Sequence, residues 1–152
     1  MTQTYYHFTA FVLIILVAFA AGCSDSGPKT YPVEGVITHN GEPVEGATVT
    51  FTAASATSAM ARTGAGGKYT LVATSGAAGA EEGTYTVTIS KKEAVPTGRK
   101  VPGIGPDGED AMVDEMAVKE LLPTAYGSAQ NTPLKNIAVE AKKLNTHDFN
   151  LE

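Results

Sequence analysis

One cysteine, three histidines and one acidic run are the side chains in this 152-residue chain whose types can do chemistry. The single thiol cannot close an internal disulfide, and it cannot by itself build a zinc site. It is Cys23, and it stands where the composition changes. Phe11-Val-Leu-Ile-Ile-Leu-Val-Ala-Phe-Ala-Ala21 is apolar without a break, Gly22 follows, and Ser24-Asp-Ser-Gly-Pro-Lys-Thr30 is polar and rich in turn formers. An unpaired thiol in an oxidising compartment is a liability unless it is consumed. His7 ends the segment Met1–His7 that precedes the apolar run, His39 lies beside Asn40-Gly41, and His147 lies near the C-terminus. His39 and His147, with an acidic partner, have the chemistry for metal binding or base catalysis. A lone histidine at a strand end reads instead as a solvated side chain. The acidic run is Asp107-Gly-Glu-Asp110 with Asp114 and Glu115. A calcium loop of the EF-hand kind needs ligands at fixed spacing and a glutamate closing twelve residues, and both are missing, so the run reads as a solvated loop. There is no Gly-x-Ser-x-Gly elbow and no His-Glu-x-x-His. Gly64-Ala-Gly-Gly-Lys68 precedes a strand pattern rather than a helix, so it is not a phosphate loop. The expectation is a protein that is not an enzyme, with no catalytic residues, cofactor or metal.

Those groups must be carried by one domain, since 152 residues are too few for two of ordinary size. A chain of this length buries roughly two thirds of its surface on folding. Of its apolar residues 22 are alanine, so large core side chains are few. The charge is −5, from 11 Lys and Arg against 16 Asp and Glu. That balance argues against nucleic acid, which is bound by displacing counterions with basic side chains.

Residues 1–22 hold no Asp, Glu, Lys or Arg. The apolar stretch of about 11 residues is shorter than the roughly 20 a spanning helix needs, and it fits the core of a secretory signal peptide. Ala20-Ala21-Gly22-Cys23 resembles the lipobox of bacterial lipoprotein precursors. The resemblance implies that the Cys23 sulfur takes a diacylglyceryl group as a thioether, that cleavage precedes it, and that the new amine is acylated, as with palmitate. Two or three acyl chains anchor a protein stably, each buried methylene contributing about 0.8 kcal/mol. The seven-residue linker Ser24–Thr30 spans at most ~25 Å, which keeps the domain near the membrane. Ser24 after the cysteine, rather than Asp, favours the outer membrane or the periplasmic face of the cell envelope.

The mature part reads as strands. Ala47-Thr-Val-Thr-Phe-Thr-Ala53 alternates strictly, with Ala47, Val49, Phe51 and Ala53 on one face. Thr84-Tyr-Thr-Val-Thr-Ile-Ser90 repeats the pattern with Tyr85, Val87 and Ile89 inward. Period-2 alternation with β-branched residues predicts half-buried antiparallel strands. Tyr31–Thr38 puts Val33 and Ile37 together, Lys68–Ala73 pairs Tyr69 with Leu71, and Ile137–Glu140 and Asp148–Leu151 are further candidates. Asn40-Gly41 is a type I′ hairpin signal and Gly66-Gly67 a second turn. Gly46 and Gly83 are expected to supply special backbone angles before strands.

Val33-Glu-Gly-Val-Ile-Thr-His-Asn-Gly-Glu-Pro-Val-Glu-Gly-Ala-Thr-Val-Thr-Phe51 resembles the opening of a carboxypeptidase regulatory-like domain. Thr63-Gly-Ala-Gly-Gly-Lys-Tyr-Thr-Leu71 and Gly83–Ile89 resemble the next two signatures of that family. Leu122–Tyr126, Thr132-Pro-Leu134 and Phe149-Asn-Leu151 continue the likeness as far as the C-terminus. The resemblance implies an all-β, transthyretin-like or immunoglobulin-like antiparallel β-sandwich of about seven strands. The organisation that follows is a signal peptide over 1–22, a lipidated cysteine and linker over 23–30, and the sandwich over 31–152. Transthyretin-like hydrolases of a purine breakdown intermediate end in Tyr-Arg-Gly-Ser, whereas this chain ends Phe149-Asn-Leu-Glu152. Lys–Asn isopeptide domains carry lysine in the first strand, where this chain has Val33, Glu34 and Val36.

Between Lys91 and Leu134 the sequence predicts one long irregular connection containing a short helix over Glu115–Leu122. A Glu115–Lys119 pair would support that helix, and Leu121 and Leu122 would pack on the sandwich. Residues 92–115 are the expected partner-contact surface, because loops on rigid sandwiches carry binding. The functional expectation is a lipid-anchored envelope protein with a structural or binding role, its partner an envelope protein or a glycan. One alternative is a carbohydrate-binding module, set against the absence of Trp and the core positions of Tyr69 and Tyr85. The other is a small metal-dependent hydrolase using His39 or His147.

Overall fold

The computed structural model describes residues 27–55 and 57–152, so the expected signal peptide and Cys23 lie outside the described residues. The described residues form an all-β sandwich of two five-stranded sheets with two separate two-stranded pairs, one of them short and the other a long ribbon. Its strands in chain order are β1 Thr30–Tyr31, β2 Val33–His39, β3 Glu42–Pro43, β4 Thr48–Ala53, β5 Ser58–Arg62, β6 Lys68–Thr70 and β7 Val72–Ala73. They continue with β8 Ala80–Glu81, β9 Gly83–Ser90, β10 Lys92–Ile104, β11 Asp110–Glu120, β12 Ile137–Val139, β13 Asn145–Thr146 and β14 Phe149–Leu151. No helix among the described residues is long and apolar enough to cross a membrane.

The first sheet runs β12-β9-β4-β5-β7 and is antiparallel throughout. Its threonine-striped strands alternate as their sequences require. Val49 and Phe51 of β4, and Tyr85, Val87 and Ile89 of β9, are buried, while the intervening threonines face outward. The second sheet is organised around β2, which pairs with β3 and β6 along one side and β13 and β14 along the other. Val33 and Ile37 of β2 complete the core with Leu71, Val139, Phe149 and Leu151. Phe51 sits at the centre, its ring 5.8 Å from Tyr85, 6.4 Å from Tyr69 and 6.2 Å from Phe149, all tilted rather than stacked. Such pairings stabilise a core beyond their buried area.

Two details differ from a purely antiparallel sandwich. The C-terminal strands β13 and β14 run parallel to β2, with Asn145 opposite Val33 and Leu151 opposite His39. The run Lys68–Ala73 is not one strand. It crosses between sheets at the fully buried Leu71, so that β6 pairs with β2 and β7 with β5. Leu71 stays hydrogen-bonded through the crossing: its N–H donates to Val33 O (2.9 Å) and its carbonyl accepts from Gly79 N–H (2.8 Å).

The turns follow their residues. Asn40 (φ 52) and Gly41 (φ 84) both occupy the left-handed region, as a type I′ turn between β2 and β3 needs. Gly46 is left-handed as expected (φ 76), and Gly83 also takes a positive angle (φ 159) where it opens β9.

The expected irregular connection with a helix over Glu115–Leu122 is not what forms. Residues 92–120 make a long antiparallel hairpin, and Glu115 lies inside β11. Residues i and i+4 of a strand stand about 13 Å apart, so the Glu115–Lys119 pair of a helix is lost. Cross-strand pairing overrides the helix propensity of Glu, Met, Ala and Lys. The turn is Gly105–Glu109. Gly108 N–H donates to Gly105 O (3.0 Å), Pro106 and Asp107 hold the centre, and Gly108 is left-handed (φ 79). Pro-Asp-Gly is a turn signal with a mechanism: proline presets φ, aspartate tolerates the corner, and glycine takes the positive angle. Beyond the hairpin Leu122 joins the core as expected, whereas Leu121 remains 36% exposed.

Candidate functional site

The ribbon β10–β11 is the element whose form the sandwich core does not require. β9 of the first sheet runs on through Lys91 into β10, so the ribbon grows out of a central strand of the rigid body. No residue of β10 or β11 is buried, and neither strand pairs with any other. Eleven residues of β11 extend roughly 35 Å. Its base is pinned: Leu121 N–H donates to Lys91 O (2.8 Å), and Lys91 N–H donates to Glu120 Oε1 (2.7 Å).

The register sorts its side chains. Lys92, Ala94, Pro96, Lys100, Pro102 and Ile104 of β10 stand opposite Glu120, Val118, Met116, Asp114, Met112 and Asp110 of β11. Opposite residues share a face, so this face carries Ile104, Met112, Met116 and Val118, all more than half exposed. The Lys100–Asp114 ion pair (3.0 Å) crosses it. The other face carries Val95, Val101, Val113 and Ala117. There the ladder slips between Pro96 and Lys100, with Gly98 left-handed (φ 80). Glu115 clasps this bulge, accepting from Arg99 Nε (2.8 Å), from Arg99 Nη2 and from the Thr97 hydroxyl (3.2 Å). The Arg99 guanidinium, and after it the Thr97 hydroxyl, hold the Glu115 carboxyl below its ordinary range, although partial desolvation works the other way.

The expected acidic loop is therefore dispersed. Asp107 and Glu109 lie in the turn, Asp110 and Asp114 on the apolar face, and Glu115 on the opposite face with Arg99. Among the described residues no three His, Cys, Asp or Glu side chains stand together in a way that could hold a metal ion.

The two histidines are not brought together. His39 ends β2 beside its own turn, its Nε2 3.3 Å from Asn40 Nδ2. His147 lies opposite Gly35, its N–H donating to Glu34 O (2.9 Å), four residues or ~13 Å back along β2. The expectation that it is simply solvated does not hold. Its ring faces inward, near-parallel to Phe149 (6.4 Å, 13°) and 6.2 Å from Phe51, and its Nε2 is buried with no hydrogen-bond partner. Residue alternation with Phe149 was the signal: positions 147, 149 and 151 share one face. Tyr69 and Tyr85 are core residues as expected, only 3% and 2% exposed, so neither ring offers a platform to a sugar. The Tyr69 hydroxyl donates to His147 O (2.7 Å), and the Tyr85 hydroxyl to Glu81 O (2.9 Å). Burial, and then the Asp148 carboxylate, push the Tyr69 phenol well above its ordinary value. Asn145, 1% exposed, was not anticipated. Its amide accepts from Glu140 N–H (2.9 Å) and donates to Glu140 O (3.0 Å), closing the loop between β12 and β13.

Among the described residues the two histidines stand apart and no cluster of metal-ligating side chains forms. The ribbon displays a long two-stranded surface on which exposed apolar and charged side chains are interleaved, carried by the sandwich. No protein family, curated protein or solved structure matches this chain.

Proposed function

We propose that this chain is a lipid-anchored protein of the bacterial cell envelope, a carboxypeptidase regulatory-like, transthyretin-like sandwich that binds another envelope component and does no catalysis. The observation that carries the binding role is the ribbon Lys92–Glu120, held by β9 and burying none of its own residues. An exposed two-stranded ribbon is marginal alone and has little to contribute to a core, so a contact role accounts for its length. The anchor rests on Cys23, the only cysteine, separated from the apolar run Phe11–Ala21 by Gly22 alone. Thr30, where the first strand begins, follows it by seven residues, which holds the domain within ~25 Å of a lipid surface. The acyl chains take the outer membrane or the periplasmic face as partner, and the ribbon takes an envelope protein.

Mass spectrometry of the mature N-terminus, from a bacterial host, tests the anchor. A peptide beginning at Cys23 with a thioether-linked diacylglyceryl group is the expected result. An unmodified Cys23, or a chain still starting at Met1, sinks it. The binding role is tested by cross-linking in membranes with and without residues 93–119. A partner captured equally well by both forms removes the ribbon from that role.

A further inference from the structure

The backbone of β11 presents an open docking edge. Leu121 N–H donates to Lys91 O, which makes that pair hydrogen-bonded. Antiparallel ladders alternate, so Lys92–Glu120, Ala94–Val118 and Pro96–Met116 are non-hydrogen-bonded pairs whose N–H and C=O groups point away from the ribbon. At the tip Gly105 N–H donates to Glu109 O (2.9 Å), and the same alternation turns Ile104–Asp110, Pro102–Met112 and Lys100–Asp114 outward. The two edges are then unequal. β10 places Pro96 and Pro102 in its outward slots, where they remove donors, and it is interrupted by the bulge at Thr97–Arg99. Those are devices that blunt an edge against pairing. β11 has no proline and no bulge of its own over its eleven residues. Other strand edges of the sandwich are short: β7 has two residues and β12 three.

We infer that the β11 edge, Asp110–Glu120, is a strand-addition site for an extended, basic segment of a partner protein. The partner chemistry follows from the side chains beside the open hydrogen-bonding groups. β11 carries Asp110, Asp114, Glu115 and Glu120 against the single Lys119. A second copy pairing β11 with β11 would set like charges across the new ladder, which destabilises it. A second copy offering β10 brings Lys92 and Lys100 but lacks the donors replaced by Pro96 and Pro102. A segment from another protein, lying antiparallel, meets Val118, Met116, Asp114, Met112 and Asp110 at every second residue. Complementarity asks there for apolar, apolar, basic, apolar and basic side chains in that order. Main-chain bonds supply the affinity and this alternating pattern supplies the selection. The inference rests on the binding role proposed above and names its partner's chemistry.

The test uses a fluorescent peptide, Ile-Thr-Val-Thr-Lys-Thr-Ile-Thr-Lys, titrated with the protein from Gly27 onward and with the lipidated full chain in detergent. Two control peptides accompany it, one with Glu for Lys and one with alternate backbone amides N-methylated so that the donors facing β11 are gone. The expected result is saturable binding of the first peptide. Binding should weaken about tenfold for either control, as lost hydrogen bonds and reversed charge pairs require, and should also weaken with added salt. Met116→Pro places in β11 the device β10 already uses opposite, and it should weaken binding by a similar factor while the melting temperature holds. Asp110→Lys with Asp114→Lys, which spares the backbone, should shift preference toward the Glu peptide. Equal binding of the N-methylated peptide would show plain charge attraction and overturn strand addition. No binding of the first peptide also overturns it. If cross-linking in membranes still depends on residues 93–119, the binding role then stands without this mode.

Discussion

A methyl group on Gly35 would overlap the carbonyl oxygen of His147 and lie 3.0 Å from Tyr69 Cε1. Gly35 is therefore where β2 lets the C-terminal strand pass close, and Tyr69 caps the same carbonyl with its hydroxyl (2.7 Å). Gly35→Ala is expected to destabilise the fold by roughly 3 kcal/mol, a core-overpacking effect read from urea unfolding. A loss below ~0.5 kcal/mol would mean the C-terminal strand shifts freely. Tyr69 gives a pH dependence. Its phenol ionises at 10.0 in ordinary surroundings and well above that when folded. A raised folded value favours the protonated state, so the contribution is fully present below pH 10 and fades as pH rises beyond it. Alkaline unfolding should start near that pH, and Tyr69→Phe should flatten the slope while lowering stability at neutral pH through the lost hydrogen bond to His147. An unchanged alkaline slope in Tyr69→Phe would assign the effect to other groups.

At the scale of elements, what the sequence displayed depended on whether a strand has one wet face or two. Ala47–Ala53 and Thr84–Ser90 bury one face, and their threonines alternate with apolar residues in a pattern that leaves no other reading. The ribbon buries neither face, so Asp-Ala-Met-Val-Asp-Glu-Met-Ala-Val-Lys-Glu of β11 has no period to read, and its helix-forming residues point the wrong way. Its legible marks were Pro106-Asp107-Gly108 and, less plainly, Gly98. The Arg99–Glu115 clasp was hidden because it depends on the register slip at the bulge, which no local spacing encodes. Two results follow for this element. Replacing residues 93–119 by an Asn-Gly turn between Lys92 and Glu120 should move the melting temperature by no more than about 3 °C, since the ribbon adds nothing buried. A larger drop would show that it supports the sandwich. The Glu115 carboxyl, followed by NMR, should titrate below its ordinary 4.5, with the clasp present above that pH and released as pH falls through the depressed value. Arg99→Leu should return the titration toward 4.5, and no change would mean the pair does not persist in solution.

Across the whole molecule the two ends of the chain carry different shares of the stability. β2, close to the N-terminal linker, is the strand on which the second sheet is assembled, and the last residues of the chain form its parallel neighbour. Phe149 and Leu151 are buried beside Val33, Ile37 and Phe51, and Asn145 closes the loop from β12 with its amide. Removing Asn145–Glu152 therefore uncovers the centre of the core and leaves one side of β2 open. Deleting Phe149 and Leu151 alone forfeits roughly 2 kcal/mol or more per side chain, a large fraction of the stability of a domain this size. A chain ending at Leu144 is expected to lose the cooperative melting transition, followed by circular dichroism. The ribbon deletion, which removes a far longer segment, should keep it. If the chain ending at Leu144 melted as cooperatively as the full chain, the parallel C-terminal strand would be an addition to the sandwich, and β2 would draw its stability from β3 and β6 alone.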